Sequence, residues 1–462
     1  MKKFIVILSA AIMCSCGIYK PYTRPEVMTD DLYGAGVETA DTLNLGYLGW
    51  RELFTDPQLQ ALIEQGLAYN TDLQSAQWRV KEAEASLKTA RLSLLPSFNL
   101  APQGGVTSFE DHRPNWTWTA PVTASWEIDI FGRLLNGKRR AKALYAQSQE
   151  YRQAVQTQLI ASVANLYYTL LMLDSQYDVS KQTAAKWRES VETMRAMMQA
   201  GMTNDAGVKQ MEANYYAIEA SLFDLEEQIR NVENSLSSLL GEAPTRIVRG
   251  SLDGQDFPEE LTVGVPVQML SNRPDVRSSE LNLVQAFYST AEARSALYPS
   301  LTLSGTFGWT NSLGPMVSNP GKMIFSAAAS LVQPIFNAGA NRARVKIAKA
   351  QQEEALLSFQ QTLLNAGAEV NNALTQVQTA RSKTSLRRKQ IAALERAVES
   401  TELLMRHGTS TYLEVLTAQQ SLLSSQLTQI SDRFDEIQGI VNLYQALGGG
   451  RDMDTDEMEE SK

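Results

Sequence analysis

Two octapeptides decide how this chain is organised: Ala90-Arg91-Leu92-Ser93-Leu94-Leu95-Pro96-Ser97 and, 203 residues later, Ala293-Arg294-Ser295-Ala296-Leu297-Tyr298-Pro299-Ser300. Other positions recur at nearly the same offset, among them Leu240-Gly241 and Leu447-Gly448. The spacing indicates an internal duplication with a unit of about 200 residues, far longer than the roughly 20 to 50 residues of solenoid and propeller repeats. Each copy is therefore predicted to form a large half of the molecule.

Very long helices are predicted in both halves. Lys138–Ala200 is a run of 63 residues without Gly or Pro, with apolar residues at helical spacing. At 1.5 Å per residue this run would extend for about 95 Å, so it needs neighbouring helices along its length, as in a coiled coil. Glycine can take the positive φ that ends a helix, so we place the two hairpin turns at Gly201 and Gly408. The other expected helical segments are Val208–Leu240, Ala340–His407 with Gly367 inside it, and Thr409–Gln438.

The segments between these helices have a period of two residues instead. From Trp116 to Ile130 the even positions are apolar and most odd positions are polar, which is typical of a strand with one apolar face. Leu301–Thr310 alternates similarly, and Phe98–Thr107 and Met323–Ile335 do so more weakly. We therefore predict two strands per half, in a soluble sandwich or hairpin or in a membrane barrel. Four strands cannot close around a pore and an open edge is unstable in lipid, so several chains would have to share a barrel.

The N-terminus predicts export. Lys2 and Lys3 precede the apolar run Phe4–Met13, which is too short to span a bilayer. The segment resembles a bacterial lipoprotein signal, in which Cys16 would be acylated and become the first residue. An ordinary signal peptide with incidental cysteines is the alternative. Because Cys14 is the only other cysteine, the exported chain can form no internal disulfide.

Composition and motifs argue against nucleic-acid binding and catalysis. The formal net charge of −9 falls to −11 when the two N-terminal lysines are removed, whereas nucleic-acid binding needs a basic surface. The two histidines, His112 and His407, are too few for a His-rich metal site, and no HExxH or Walker motif is present. We therefore expect neither enzymatic activity nor a cofactor or metal site. One helical face carries four methionines that could serve as soft Cu(I) ligands, although such spacing usually means packing: Met194, Met197, Met198 and Met202.

Several spaced motifs together resemble one family. They are Arg91-x-x-Leu94-x-Pro96-Ser97, Trp126-Glu127-Ile128-Asp129-Ile130-Phe131-Gly132-Arg133, Arg273-Pro274-Asp275-Val276 and Gly408-Thr409-Ser410-Thr411-Tyr412-Leu413-Glu414-Val415-Leu416. They are similar to the outer-membrane factors of tripartite efflux systems, of the TolC and OprM type, in the lipoprotein branch. The resemblance covers roughly residues 17–450.

The resemblance implies an α+β membrane protein. Each protomer of a homotrimer would give four strands to one 12-stranded outer-membrane β-barrel, continued by a long periplasmic α-helical coiled-coil barrel with an equatorial belt. Such a protein is a passive conduit in the outer membrane of a Gram-negative bacterium. It would export small molecules such as drugs from an inner-membrane transporter of the RND type through a periplasmic adaptor, a membrane fusion protein. A conduit for type I protein or peptide secretion, or for a heavy-metal pump, is the alternative.

The resemblance also implies two kinds of functional site. The hairpin tips would contact the adaptor through Gly201 and Met202 and through Gly408 and Thr409, unless the glycines only make the turns. Glu414 and Thr417 occupy the positions of two acidic residues that narrow the family's periplasmic end, with Leu413 beside them. Their i, i+3 spacing places both on one helix face. A trimer would then present one ring of three Glu414 carboxylates, unless Glu414 is only a solvated surface charge.

The expected division of the chain follows the repeat. It comprises a lipoprotein signal peptide at 1–15, an N-terminal anchor and equatorial segment at 16–56, the first repeat at 57–246, an equatorial connector at 247–270, the second repeat at 271–449 and an acidic disordered tail at 450–462.

Overall fold

The structure is a computed structural model that describes residues 20–27, 32, 45–108, 114–258, 272–313, 316–407 and 411–450. Several predicted features lie outside the described residues: the signal peptide, Cys16, His112, residues 259–270 of the connector with residue 271 of the second repeat, Gly408, Thr409 and residues 451–462. The chain divides into two compact units. Unit 1 comprises Met1–Val27, Gln77–Tyr151 and Arg277–Thr362, and unit 2 comprises Met28–Ala76, Arg152–Val276 and Leu363–Lys462.

The described residues form eight α-helices and five strands. The helices are α1 (Trp50–Leu53), α2 (Pro57–Tyr69), α3 (Thr71–Leu92), α4 (Arg133–Gln199), α5 (Asp205–Leu239), α6 (Pro274–Ser295), α7 (Ala340–Arg406) and α8 (Tyr412–Ala446). The strands are β1 (Ser97–Leu100), β2 (Gln103–Thr107), β3 (Asn115–Ile128), β4 (Ser300–Leu313) and β5 (Met316–Val332). Short 3-10 turns occur at Leu45–Tyr47 and Leu252–Gly254.

Corresponding helices in the two halves of the chain have equal lengths. Helices α3 and α6 each contain 22 residues, α4 and α7 each contain 67, and α5 and α8 each contain 35. The 67-residue helices would each extend for about 100 Å at 1.5 Å per residue. The order helix, strands, long helix, shorter helix therefore occurs twice along the chain.

The early start of α4 and the glycine inside α7 both have local explanations. Helix α4 begins at Arg133, five residues before the predicted start, because the Asp129 carboxylate accepts a hydrogen bond of 2.7 Å from the Leu135 amide. Helix α7 continues through Gly367, where a side chain would collide with the backbone of Leu32. Glycine at this position serves a close approach of two chain segments and does not end the helix.

Unit 1 contains one antiparallel sheet. Strand β3 pairs with β4, beginning where Thr119 lies opposite Thr310 and ending where Ile128 lies opposite Leu301. Strand β4 in turn pairs with β5. Both short strands, β1 and β2, pair with β3 on its other side, so the sheet order is β1/β2, β3, β4, β5. The predicted single strand over 98–107 is thus interrupted between β1 and β2, where Pro102 has no amide hydrogen to donate. If β1 and β2 are counted as one interrupted strand, the sheet has four strands.

A continuous apolar face crosses this sheet. In register, Val122 lies opposite Phe307, which in turn lies opposite Phe325. The neighbouring row joins Trp309 to Met323. These side chains are largely exposed in the single chain, and Phe325 is 77% exposed. An exposed apolar face with polar residues alternating on the other side is the pattern of a transmembrane β-strand facing lipid. None of the described helices is both long enough and apolar enough to cross a membrane.

Unit 2 is built around its long helices and a buried aromatic cluster. Apolar residues at helical spacing on α4 are buried at Val163, Tyr167 and Leu170, and apolar residues at the corresponding spacing on α7 are buried from Val370 to Val377. The Phe54 ring packs edge-on against Tyr444 with ring centroids 6.0 Å apart. Further buried side chains of unit 2 include Leu59, Ile63, Tyr168, Ile440 and Val441. Burial of these aromatic and aliphatic groups stabilises the hairpins along their length.

Candidate functional site at the hairpin tips

The first tip, between α4 and α5, is a regular helix end. Gly201 has φ of +74°, its amide donates to the Met198 carbonyl, and the Met202 amide donates to the Met197 carbonyl at 2.8 Å. This pair of bonds satisfies the last carbonyls of α4 and requires a residue with positive φ. Asn204 then caps α5 by accepting from the Gly207 amide at 2.9 Å. No atom lies within 4 Å of the position that a Gly201 side chain would occupy, so the backbone of this tip is open to a partner.

The second tip is described only on its two sides. His407 continues the end of α7 by donating its amide to Leu403, and α8 begins at Tyr412. The predicted adaptor residues Gly408 and Thr409 fall between them, outside the described part. The Tyr412 hydroxyl contacts the Met211 sulfur on α5, and Gln420 donates to Asn214 at 3.2 Å. These contacts hold the beginning of α8 against the beginning of α5.

The predicted gate residues lie together on the exposed side of the first turns of α8. Leu413 is 65% exposed, and Glu414 and Thr417 are also exposed. The Thr417 hydroxyl donates to the Leu413 carbonyl at 2.8 Å. Val415 and Leu416, on the opposite side, are buried. The helix thus anchors one side in the core and presents a carboxylate and a hydroxyl one turn apart on the other.

The four methionines of the predicted face do not share one environment. Met194 is only 2% exposed and approaches Gly207, whereas Met202 is 68% exposed at the tip. Met197 and Met198 are half-buried. Because the Met194 side chain belongs to the hairpin core, it is not available with Met202 as part of a single exposed thioether site. Among the described residues, no group of three His, Cys, Asp or Glu side chains could hold a metal ion.

Sequence reasoning missed two interactions that fix α8 and the connector. Burial raises the pKa of the Tyr412 hydroxyl to about 12, so this group stays protonated at neutral pH beside the Met211 sulfur. In the connector, the Arg249 guanidinium binds both Asp174 oxygens and Glu233, at 2.5 to 2.8 Å. The hydrogen bond to Asp174 raises the pKa of Arg249, although burial opposes this shift. No sequence spacing links these residues, because they lie far apart along the chain.

Comparison with known proteins places these features in a family. The sequence model described as "Outer membrane efflux protein" matches residues 62–242 and 265–449. The chain is 26% identical over 455 residues to the cation efflux system protein CusC of Escherichia coli, covering 97% of this chain and 98% of CusC. It is 28% identical over 468 residues to the toluene efflux pump outer membrane protein TtgC of Pseudomonas putida, covering 96% of this chain and 94% of TtgC.

Solved structures give the same result. The outer-membrane channel OprN superposes with a TM-score of 0.84 at 25% identity, over 93% of this chain and 98% of OprN. The open-state MtrE outer membrane channel of Neisseria gonorrhoeae superposes with a TM-score of 0.80 at 26% identity, over 93% of this chain and 97% of MtrE. The predicted fold class is therefore confirmed: it is that of trimeric outer-membrane channels that combine a β-barrel with a long helical barrel. The chain belongs to the outer membrane efflux protein family, whose members are channels that work with a periplasmic adaptor and an inner-membrane transporter.

Proposed function

We propose that the protein is a passive trimeric conduit without enzymatic activity, which exports small molecules such as drugs from an RND-type inner-membrane transporter through a periplasmic adaptor. The supporting observation is the first hairpin tip with its open glycine backbone, next to a helix that presents Glu414 and Thr417. Names of relatives support small-molecule cargo, since they include toluene, solvent and antibiotic efflux pumps. Energy would come from the inner-membrane partner.

The gate would be a ring of three Glu414 carboxylates in the trimer. Like charges gathered in a narrow passage attract cations, so the channel should be modestly cation-selective. Thr417 would add a neutral ring one turn further, with its hydroxyl already bound to the Leu413 carbonyl. A second acidic ring, made by Thr417→Asp, should increase block by divalent cations.

Conductance in planar bilayers tests both the conduit and its gate. The purified native channel should conduct ions with a cation preference, and Glu414→Gln should remove that preference while conductance remains. Glu212→Gln is the matched control, because Glu212 is engaged by two cations of its own hairpin. If Glu414→Gln leaves the ratio of cation to anion permeability unchanged, Glu414 does not line the constriction. A protein that never conducts would overturn the conduit itself.

Adaptor binding is assigned to Gly201, Met202, Gly408 and Thr409. A helix end of the adaptor could approach the tip backbone closely where no side chain intervenes. The double variant Gly201→Trp and Gly408→Trp should still form trimers but should no longer support export. Normal efflux by this variant would place the adaptor contact elsewhere.

Lipidation is assigned to Cys16, with residues 1–15 removed as the signal peptide. One acyl chain gives only marginal membrane binding, so the tether should be dispensable for folding of a chain whose barrel spans the membrane. Mass spectrometry of the mature N-terminus should detect an acylated Cys16. An unmodified mature protein beginning at another residue would refute this assignment.

Metal export is the second candidate, because relatives include the cation efflux protein CusC and the probable outer membrane lipoprotein SilC of Salmonella typhimurium, each 26% identical over 97% of this chain. Complementation of a channel-deficient strain distinguishes drug export from metal export. In a strain that lacks its own channel, the protein should restore drug resistance with its cognate partners. Restoration of copper resistance alone would favour metal export.

A further inference from the structure

Strand β5 carries a cation that no described carboxylate neutralises. The described strands contain two charged residues, Glu127 in β3 and Lys322 in β5. Glu127 is neutralised by Arg133, whose guanidinium group donates to both carboxylate oxygens. Lys322 is exposed, and no carboxylate among the described residues forms an ion pair with it. These strands therefore add one uncompensated positive charge per protomer to a chain whose formal net charge is −9.

The strand register places Lys322 on the polar face of the sheet. Lys322 directly precedes Met323 of the apolar face, so its side chain points to the other side. In register, Lys322 lies opposite Thr310, and Thr310 lies opposite Thr119. Gln103 of β2 lies opposite Thr119 and ends the row. One row across the sheet thus carries an ammonium group, two hydroxyl groups and a carboxamide, all of which can donate hydrogen bonds.

The sheet is concave next to this row. A hollow of about 690 Å³ is lined by side chains of the polar face, which include Gln103, Thr117, Thr119, Thr310 and Ile324. The Thr310 hydroxyl is already engaged, because it donates to the Trp118 carbonyl at 3.0 Å. A concave polar face becomes the lumen when several sheets close into one barrel. The hollow therefore gives room for a solute next to Lys322, which lies opposite Thr310 and two residues before Ile324.

Lys322 lies near the external end of the barrel. The helix-connected ends of β3, β4 and β5 are periplasmic, so the β4–β5 connection is external. Lys322 is 10 residues before Val332, the last residue of β5. This distance corresponds to about 33 Å along the strand, or about 25 Å of height at a tilt of about 40°. The apolar band of a transmembrane barrel is about 25 Å tall, so Lys322 is level with its outer rim. Trp309, on the lipid face beside Thr310, is 51% exposed and suits the aromatic girdle at that level.

We propose that the three Lys322 ammonium groups of the trimer form a basic ring that binds small polyvalent anions in the barrel lumen. The inference rests on the proposed trimeric conduit and adds a charged ring opposite in sign to that of Glu414. Three sheets of four strands, tilted by about 40°, close at a backbone radius of about 12 Å. With each lysine stem extended about 6 Å inward, the ammonium groups lie about 10 Å apart. This separation is close to the Debye length at 0.1 M salt, about 10 Å, so one anion with several charges interacts with more than one ammonium group.

Block of the channel by inorganic pyrophosphate tests the ring. In planar bilayers at about 0.1 M salt, pyrophosphate added on the external side should reduce the conductance of the native trimer. Lys322→Gln should raise the concentration for half block by about tenfold, because clefts lined by one sign of charge concentrate counter-ions to this degree or more. Lys322→Arg should retain the block. At about 1 M salt, where the Debye length is about 3 Å, block of the native channel should weaken towards that of Lys322→Gln.

Two further comparisons separate the position of the charge from the net charge. Lys322→Gln combined with Met323→Lys keeps the net charge and moves the cation by one residue, which turns it to the lipid face. A cation near the rim of the apolar band is tolerated, so this variant should form trimers and should be blocked no better than Lys322→Gln. Lys322→Gln alone should also increase the cation preference of the channel, the opposite of the effect expected for Glu414→Gln.

The outcomes distinguish failure of the ring from failure of the conduit. Equal pyrophosphate block of native and Lys322→Gln channels that both conduct would overturn the basic ring, while the conduit stands. Full block of the variant that combines Lys322→Gln with Met323→Lys would assign the effect to net charge and would also overturn the ring. Block from the periplasmic side alone would place the anion site elsewhere in the tunnel. A native protein that never conducts would contradict the proposed conduit itself.

Discussion

Glu212, near the start of α5, lies between two cations. Its carboxylate accepts from Lys209 at 2.9 Å and from Arg195 of α4 at 2.6 Å. These hydrogen bonds, with that from Lys209 first, lower the pKa of Glu212 below its ordinary value of 4.5. The Arg195–Glu212 ion pair therefore joins the two helices of the first hairpin just above the tip, whereas the Lys209–Glu212 pair lies within α5. Both cations are largely exposed to solvent, so the contribution is modest and depends on salt.

The lowered pKa of Glu212 predicts a pH dependence of hairpin stability. A carboxyl whose pKa is depressed by folding stabilises the folded state above its unfolded pKa, near 4.5, and this contribution is lost as pH falls through the lower folded pKa. We expect the thermal midpoint of the native protein to fall between about pH 6 and about pH 3.5 more than that of Glu212→Gln. Lys209→Met removes one of the two cations and should weaken this pH dependence in part. Equal pH dependence in the native and Glu212→Gln proteins would contradict the assignment.

The contact between α7 and α8 depends on a glycine. A side chain at Gly439 would lie 2.7 Å from a Val377 methyl carbon and 3.2 Å from the Val377 amide nitrogen. The backbone atom cannot move away without shifting α7. Gly439 is therefore required for the close approach of the two helices, although glycine lowers intrinsic helix stability.

We expect Gly439→Ala to destabilise the protein by about 1–3 kcal/mol through overpacking, measured as a shift in the urea midpoint. Gly207→Ala is the matched control in α5. The nearest atom to a side chain there would be the terminal methyl of Met194 at 3.3 Å, which can rotate, and the other neighbours lie at ordinary contact distances of 3.5 Å and more, so this change should be nearly neutral. Combining Gly439→Ala with Val377→Ala should cost less than the sum of the single changes. Additive effects would show that the two side chains do not collide.

The sheet predicts which strand face meets lipid. Phe307 belongs to the apolar row with Val122 and Phe325, whereas its neighbour Thr306 points to the other face, between Thr123 and Ser326. A cation on the lipid face near the bilayer midplane costs about 2–4 kcal/mol. We expect Phe307→Arg to make the free energy of folding into lipid vesicles less favourable by this amount, and Thr306→Arg to change it much less. Equal losses for the two variants would mean that the alternation does not separate lipid from the barrel interior.

Helices and strands were largely predictable because their signals are local. The Gly- and Pro-free run from Lys138 and the alternation from Trp116 each indicate their element without reference to distant residues. Interactions across the chain were not predictable. The side-chain oxygen of Asn311 accepts from the backbone amide of Trp118 at 2.6 Å, and its side-chain nitrogen donates to the Trp116 carbonyl at 2.9 Å. These bonds replace the pairing of β3 with β4 before Thr119. Gly367 and Gly439 look like helix breakers in sequence, yet each permits a close contact with a remote segment.

The candidate site was predictable only in part. Glu414 and Thr417 were placed on one helix side by their spacing, and the structure has both exposed on α8. The methionine face was predicted from helical spacing alone, and burial of Met194 divides it. Helical periodicity identifies residues that share a side, but it does not indicate which side the neighbouring helix covers.

At the scale of the whole molecule, the open edges of the sheet require other chains. Strands β1/β2 and β5 form the two edges among the described strands, and β5 contains 17 residues. Backbone amide and carbonyl groups on an edge in hydrocarbon have no water to bind, and each unsatisfied group costs several kcal/mol. Pairing β5 of one protomer with β1/β2 of the next satisfies both edges. With β1/β2 counted as one strand, three such pairings give the 12-stranded barrel of the family.

We therefore expect the purified protein to be a trimer in mild detergent and a trimer in the bilayer, with no folded monomer populated as it dissociates. Light scattering should give three times the mass of the mature chain, and heating in detergent should convert trimer to unfolded monomer in one transition. Removal of the acyl group through Cys16→Ser serves as the control, because the edges and not the tether drive assembly, so the trimer should persist. A stable monomer that conducts in planar bilayers would show that one chain can satisfy its own sheet edges, and would refute the shared barrel.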